Sequence, residues 1–232
     1  MTFWRENRPN MRARPARTPN SRHRRRQVTK ARRSLIRKNP DRPFDPTEDW
    51  YEPSGQPGYR VIVKPAGPGY RHVVTAEQVR SRLALLPPRF LRDLQVVQLA
   101  TMTRKKHRFP CYGLQWGTAI YLYPFDENLE EEFDRPPPRS LVVEARMYGG
   151  RFQQVEPGLW KLRWTESAAR DFCLNNVLIH ELGHLVDLRN TTYTDQERYA
   201  EWFAVEYGYL RSGGAAKRSR QPGRRKRRRH HC

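Results

Sequence analysis

The sequence predicts an α+β domain: a small mixed sheet, one helix near its start and two helices at its end, set between two disordered basic tails. Three observations carry this. The first is where the charge sits. The chain has 232 residues, with 45 Lys and Arg against 24 Asp and Glu, which is room for one domain plus extensions. Residues 1–43 hold 15 basic and 2 acidic residues and residues 211–232 hold 10 basic and none acidic, which leaves residues 44–210 with 20 basic and 22 acidic. The nearly neutral middle is the globular candidate, and the positive excess lies at the two ends. The second observation is that short stretches of the middle alternate apolar and polar residues with the period of a strand. The third is that its last third changes to the period of a helix.

Taken in order, residues 1–43 are rich in Arg, Pro and Asn, with a basic cluster at Arg22–Arg26. They offer too little apolar surface to offset the entropy of ordering. Tyr59–Val63 reads as a strand. Thr75, with Gln78 three residues on, forms a capping box that opens a helix to about Leu86, where Pro87 and Pro88 stop it; a further turn follows at Arg89–Leu91. Leu94–Ala100, Thr118–Tyr123, Ser140–Met147 and Leu159–Thr165 carry the β-branched and aromatic alternation of strands. Asp126–Asp134, with six acids around Phe133, reads as a solvated loop. Helices follow over Ser167–Leu188 and Asp195–Leu210, joined by Arg189–Thr194. The chain closes with Ser212, Gly213 and Gly214 and a run of cations from Arg224 to Arg229, a flexible basic tail.

Several classes are excluded. No apolar run approaches the ~18 residues that span a bilayer. The Arg-rich start has no apolar core of a secretory signal. Cys111, Cys173 and Cys232 are odd in number and widely spaced, so they make neither a disulfide framework nor a paired-cysteine zinc knuckle. A reducing cytoplasm is the expected compartment, and no membrane partner is expected.

The chemistry concentrates in His180-Glu181-Leu182-Gly183-His184, an HExxH pattern inside a helical stretch. Residues four apart stack on one helix face, so the imidazoles of His180 and His184 can reach one ion. Glu181 points about 100° around the axis, where its carboxylate can meet a metal-bound water. Leu174, Leu178, Leu182 and Leu185 form the opposite, buried stripe. A glycine inside a helix costs about 1 kcal/mol relative to alanine, so Gly183 signals close backbone packing. A catalytic zinc takes three protein ligands and leaves one position for water. The extended pattern with a third histidine is absent, because Asp187 and Asn190 stand where it needs Gly and His. The third ligand is therefore sought on the second helix, Glu197 to Glu206, which must pack antiparallel to the first.

His-Glu-Leu-Gly-His-Leu-Val-Asp at 180–187 and Ala-Glu-Trp-Phe-Ala at 200–204 together resemble the gluzincin peptidases, particularly compact ones similar to lethal-factor catalytic domains. The resemblance covers roughly residues 175 to 205. It implies a zincin-like fold, a zinc cofactor held by His180 and His184, Glu181 as general base, and Glu201, from a Glu-x-x-Ala pattern on the second helix, as third ligand. Glu197, one turn away on the same face, is the alternative ligand or a partner that holds an imidazole N–H. Glu206 and Asp187 are further candidates, although Asp187 suits orienting an imidazole or pairing with Arg189 or Arg198 better. Tyr193, shortly before the ligand carboxylate, is the first choice as oxyanion donor, with Tyr199 and Tyr207 as alternatives that could equally be core.

The function expected is zinc-dependent hydrolysis of peptide bonds in a protein or peptide substrate. Leu159–Thr165 is the expected edge strand for an extended substrate, with Trp160 and Trp164 alternating with Lys161 and Arg163; an ordinary amphipathic strand is the plain alternative. The tails are expected to bind polyanions by counterion release, with nucleic acid as partner, against the plainer roles of solvated tail or localisation signal. The competing class is a non-catalytic nucleic-acid-binding or interaction protein that retains a peptidase-like fold.

Overall fold

The computed structural model describes Tyr51, residues 58–103 and residues 111–212. The basic stretch 1–43 and the cation run from Arg224 to Arg229 lie outside the described residues. The described chain is an α+β arrangement of small sheets and helices. Its element order is β1 (Arg60–Val63), β2 (Tyr70–Arg71), α1 (Ala76–Ala84), a 3-10 turn (Pro88–Leu91), β3 (Val96–Leu99), β4 (Gly113–Trp116), β5 (Ala119–Leu122), β6 (Phe125–Asp126), β7 (Glu130–Phe133), α2 (Arg139–Met147), β8 (Arg151–Glu156) and β9 (Leu159–Arg163). Then come α3 (Glu166–Phe172), a π-helical turn (Cys173–Val177), α4 (Leu178–Val186), α5 (Tyr193–Phe203) and a second π-helical turn (Ala204–Tyr209). No helix among the described residues is long and apolar enough to cross a membrane.

The main sheet has the order β1-β3-β5-β4, with β1, β3 and β5 parallel and β4 antiparallel to β5. It is mixed, as the sequence implies. All four residues of β3 and of β5 are buried, because a parallel core strand is covered on both faces. Val97, Leu99, Ile120 and Leu122 face the larger core with the helices. Val96, Leu114, Ala119 and Tyr121 face a smaller one on the other side, against which Tyr51 and Ile62 pack. The α1 capping box forms as the sequence indicates: Gln78 N donates to Thr75 Oγ1 at 3.2 Å and Thr75 N donates to Gln78 Oε1 at 3.0 Å.

Three local expectations are corrected. Ser140–Met147 is helix α2, not a strand. Its buried residues, Leu141, Ala145 and the following Tyr148, recur at helical spacing, and Pro138 starts the first turn by accepting from Val142 N at 3.1 Å. Pro138 stands at the N-cap, directly ahead of the first helical residue. The acidic stretch is not all loop: β7 pairs antiparallel with β9, and Glu130 there meets Lys161 at 3.0 Å and Arg163 at 2.8 Å. Opposed cross-strand charges offset the low strand preference of glutamate. Finally, β9 is the centre of the three-stranded sheet β7-β9-β8, not an edge, because β7 and β8 occupy both of its sides.

Candidate metal centre

Helices α3 and α4 run on through the π-helical turn, and α5 returns antiparallel after the short connection 187–192. Asp187 closes that connection, accepting from Arg189 N and Asn190 N at 3.2 Å each and from Asn190 Nδ2 at 2.8 Å. This gives it a turn-forming role, and its charge also acts on His184. Thr192 caps α5 by accepting from Asp195 N at 3.2 Å.

The crossing of α4 and α5 is set by small residues. A Cβ placed on Gly183 would lie 2.9 Å from the Ala200 Cα and 3.1 Å from the Phe203 Cβ. Only hydrogen fits there, so the two backbones approach at Gly183 and Ala200. This contact fixes which carboxylate faces the histidines. His184 Nε2 and His180 Nε2 stand 3.0 Å apart, and Glu197 lies 3.6 Å from His180 Nε2 through Oε2 and 3.6 Å from His184 Nε2 through Oε1. The potential ligand atoms of His180, His184 and Glu197 all lie within 4.8 Å of one another. Glu201, the third ligand implied by the resemblance, is exposed one turn further along α5, and its charge acts on Glu144 of α2. The pattern Glu-x-x-Ala occurs twice, at 197–200 and 201–204; the alanine seated on Gly183 is Ala200, and this selects Glu197. Glu206 lies in the second π-helical turn and is not in the group.

The donor set fits a small divalent cation. In a tetrahedral site, bonds of ~2.0–2.2 Å to nitrogen and oxygen separate neighbouring donors by about 3.3 Å, a spacing comparable with the 3.0 Å between the imidazoles and the 3.6 Å from each imidazole to its own nearer Glu197 oxygen. Two imidazoles and one carboxylate are the borderline set that suits zinc. His180 is 1 % exposed, and burial holds its imidazole well below the ordinary histidine range. Burial lowers His184 as well, with the Glu181 carboxylate opposing. Both rings are therefore neutral at pH 7, the form in which imidazole is a ligand.

Glu181 is 1 % exposed and sits beneath β4. A Cβ on Gly113 would be 2.7 Å from Val177 Cγ1 and 2.8 Å from Glu181 Cγ and Oε1. The strand thus passes the carboxylate at backbone distance, and among the described residues β4 is an edge of the main sheet. Sequence reading missed β4; its four residues, Gly-Leu-Gln-Trp, are too few to show an alternation.

The tyrosines divide. Tyr193 is the first residue of α5, one turn before Glu197, and 42 % exposed. Tyr207 packs its ring on Phe90 and Phe203 at 4.8 and 4.6 Å, which is the core alternative. Tyr199 lies between the Arg189 guanidinium, 5.7 Å from its ring centre, and Trp202. A polar layer missed from sequence backs the histidine helix. Asn176, one turn before His180, donates to Glu144 Oε1 at 2.5 Å, and burial pushes the Glu144 carboxyl up to about 8 against that bond, with Glu201 adding to the rise. No family model, no curated protein and no solved structure matches the chain.

Proposed function

We propose that the protein is a zinc-dependent peptidase with a zincin-like catalytic core. The observation that supports this is the convergence of His180, His184 and Glu197, whose potential ligand atoms lie within 4.8 Å of one another, with a buried carboxylate, Glu181, one residue from the first histidine. A zinc ion held there would supply a coordinated water with its pKa lowered to about 7 and a Lewis acid for the scissile carbonyl. His180, His184 and Glu197 would hold that ion, and the short loop closed by Asp187 keeps the two helices that bear them in register. The Glu181 carboxylate takes a proton from the attacking water and delivers it to the leaving amine. Its burial suits this work, because a carboxylate screened from bulk water keeps its proton transfer within the site. The edge of β4 beside Glu181 is the surface to which an extended peptide adds as a further strand, with main-chain bonds supplying affinity. This assigns to β4 the role that β9, enclosed on both sides, does not fill. Tyr193, at the exposed start of α5, is the proposed oxyanion donor.

The test compares cleavage of casein and of a peptide library by the wild type and by Glu181→Gln, with zinc content measured for both. Cleavage by the first only, at equal zinc content, is the expected result; no cleavage by either at full zinc occupancy rejects the enzyme. The tails, with 25 of the 45 basic residues, are proposed to tether the catalytic domain to nucleic acid. Equal retention of DNA or RNA by residues 44–210 and by the full chain in a gel-shift assay would reject that role.

A further inference from the structure

Away from the ligands, one buried cation bonds both π-helical turns. Arg82, near the end of α1, is 9 % exposed. Its Nε donates to Asn175 Oδ1 at 2.5 Å in the first turn, and its Nη2 donates to Tyr207 O at 2.5 Å in the second. Asn175, 7 % exposed, is engaged on every side. Its Nδ2 donates to Asp171 Oδ1 at 2.8 Å, and its main-chain oxygen accepts from Tyr148 Oη at 3.1 Å. The two turns touch so closely that a Cβ on Gly208 would fall 1.8 Å from Asn175 O. Each turn is wound with bonds five residues apart, Leu178 N to Cys173 O and Leu210 N to Val205 O.

The first turn leads directly into the helix of His180 and His184, and the second follows directly from the helix of Glu197. A π-helical turn holds one residue more than an α-helical turn. Closing the first would advance everything after it by one residue, about 100° around the axis, and swing both imidazoles off Glu197. We infer that Arg82 and Asn175 are positioning residues of the metal centre: by bonding both turns at once they fix the rotational phase at which α4 presents its histidines to α5. A guanidinium suits the task because its planar fork bonds two acceptors in fixed directions. Local pairing alone does not hold the turns open, since π-helical geometry is less favourable than the α-helix it replaces.

This inference rests on the metal-centre reading, and the experiment separates the two. Full-length wild type, Arg82→Met and Leu94→Ala are titrated with cobalt(II), and affinity and visible d–d absorption are read alongside thermal unfolding. Leu94 is 1 % exposed in the main core and bonds to neither turn, so it controls for general loss of stability. The expected result is a folded Arg82→Met with affinity about tenfold or more weaker and an altered d–d band, beside a Leu94→Ala that melts lower yet keeps the wild-type affinity and band. Wild-type affinity and spectrum in Arg82→Met overturn the inference, and so does an equal weakening in both variants. Should Arg82→Met not fold, Asn175→Ala is read by the same criteria. A wild type that binds no cobalt overturns the metal centre itself, and this inference with it.

Discussion

Glu197 and Glu201 lie one turn apart on α5, and the contact of Ala200 with Gly183 decides which of them faces the histidines. Glu197→Ala is expected to lose more than about 100-fold in zinc affinity, beyond the range for groups that only support a ligand, whereas Glu201→Ala keeps its metal; isothermal titration with zinc distinguishes them. Removing a general base costs about 10²–10⁴-fold, so Glu181→Gln is expected to lose that much kcat with zinc retained. Gly113 adds a steric prediction. The methyl of Gly113→Ala cannot fit against Val177 and Glu181, so the strand or the carboxylate must move. The variant should lose about 1–3 kcal/mol of stability and a larger share of kcat than of zinc affinity, read by denaturant titration and steady-state kinetics. The two histidines were legible from four-residue spacing alone. Choosing between the two glutamates was not, because both satisfy the same local pattern.

Helix α4 is readable as an element because its leucine stripe and its histidine face have the same period, and Gly183 marks the closest approach of its neighbour. Gly183→Ala should push α5 away from α4, costing about 1–3 kcal/mol by overpacking and weakening zinc binding through Glu197. Both effects appear in thermal melts run with and without zinc. Other elements misled. In α2, Leu141 and Val143 resemble strand alternation, yet Leu141, Ala145 and Tyr148 are the buried set, and nothing short of packing against the core separates the two periods in nine residues. In β7, three consecutive glutamates read as loop until the cations of β9 stand opposite them. Pairing partners far along the chain supply what the local sequence lacks.

At the scale of the whole molecule, Glu144 ties α2 to the histidine helix through Asn176, with Tyr112, Tyr148 and Glu201 nearby. Its carboxyl is raised from 4.5 to about 8 in the fold. The native state therefore binds more protons than the unfolded chain between those values, and stability falls as pH rises through that window. Glu144→Gln should remove this decline, so that its melting temperature exceeds that of the wild type at pH 8.5 while the two converge near pH 4.5. The sequence by itself determined the neutral middle between basic ends, the capped first helix and the histidine pair with Glu181 beside it, because each depends on composition or on residues within one helical turn. Only the tertiary structure decided which glutamate faces the histidines, that β4 and not β9 is a sheet edge among the described residues, and that Arg82 bonds both π-helical turns. Those depend on which surfaces meet across long separations, where a single hydrogen at Gly183 or Gly113 sets the distance of approach.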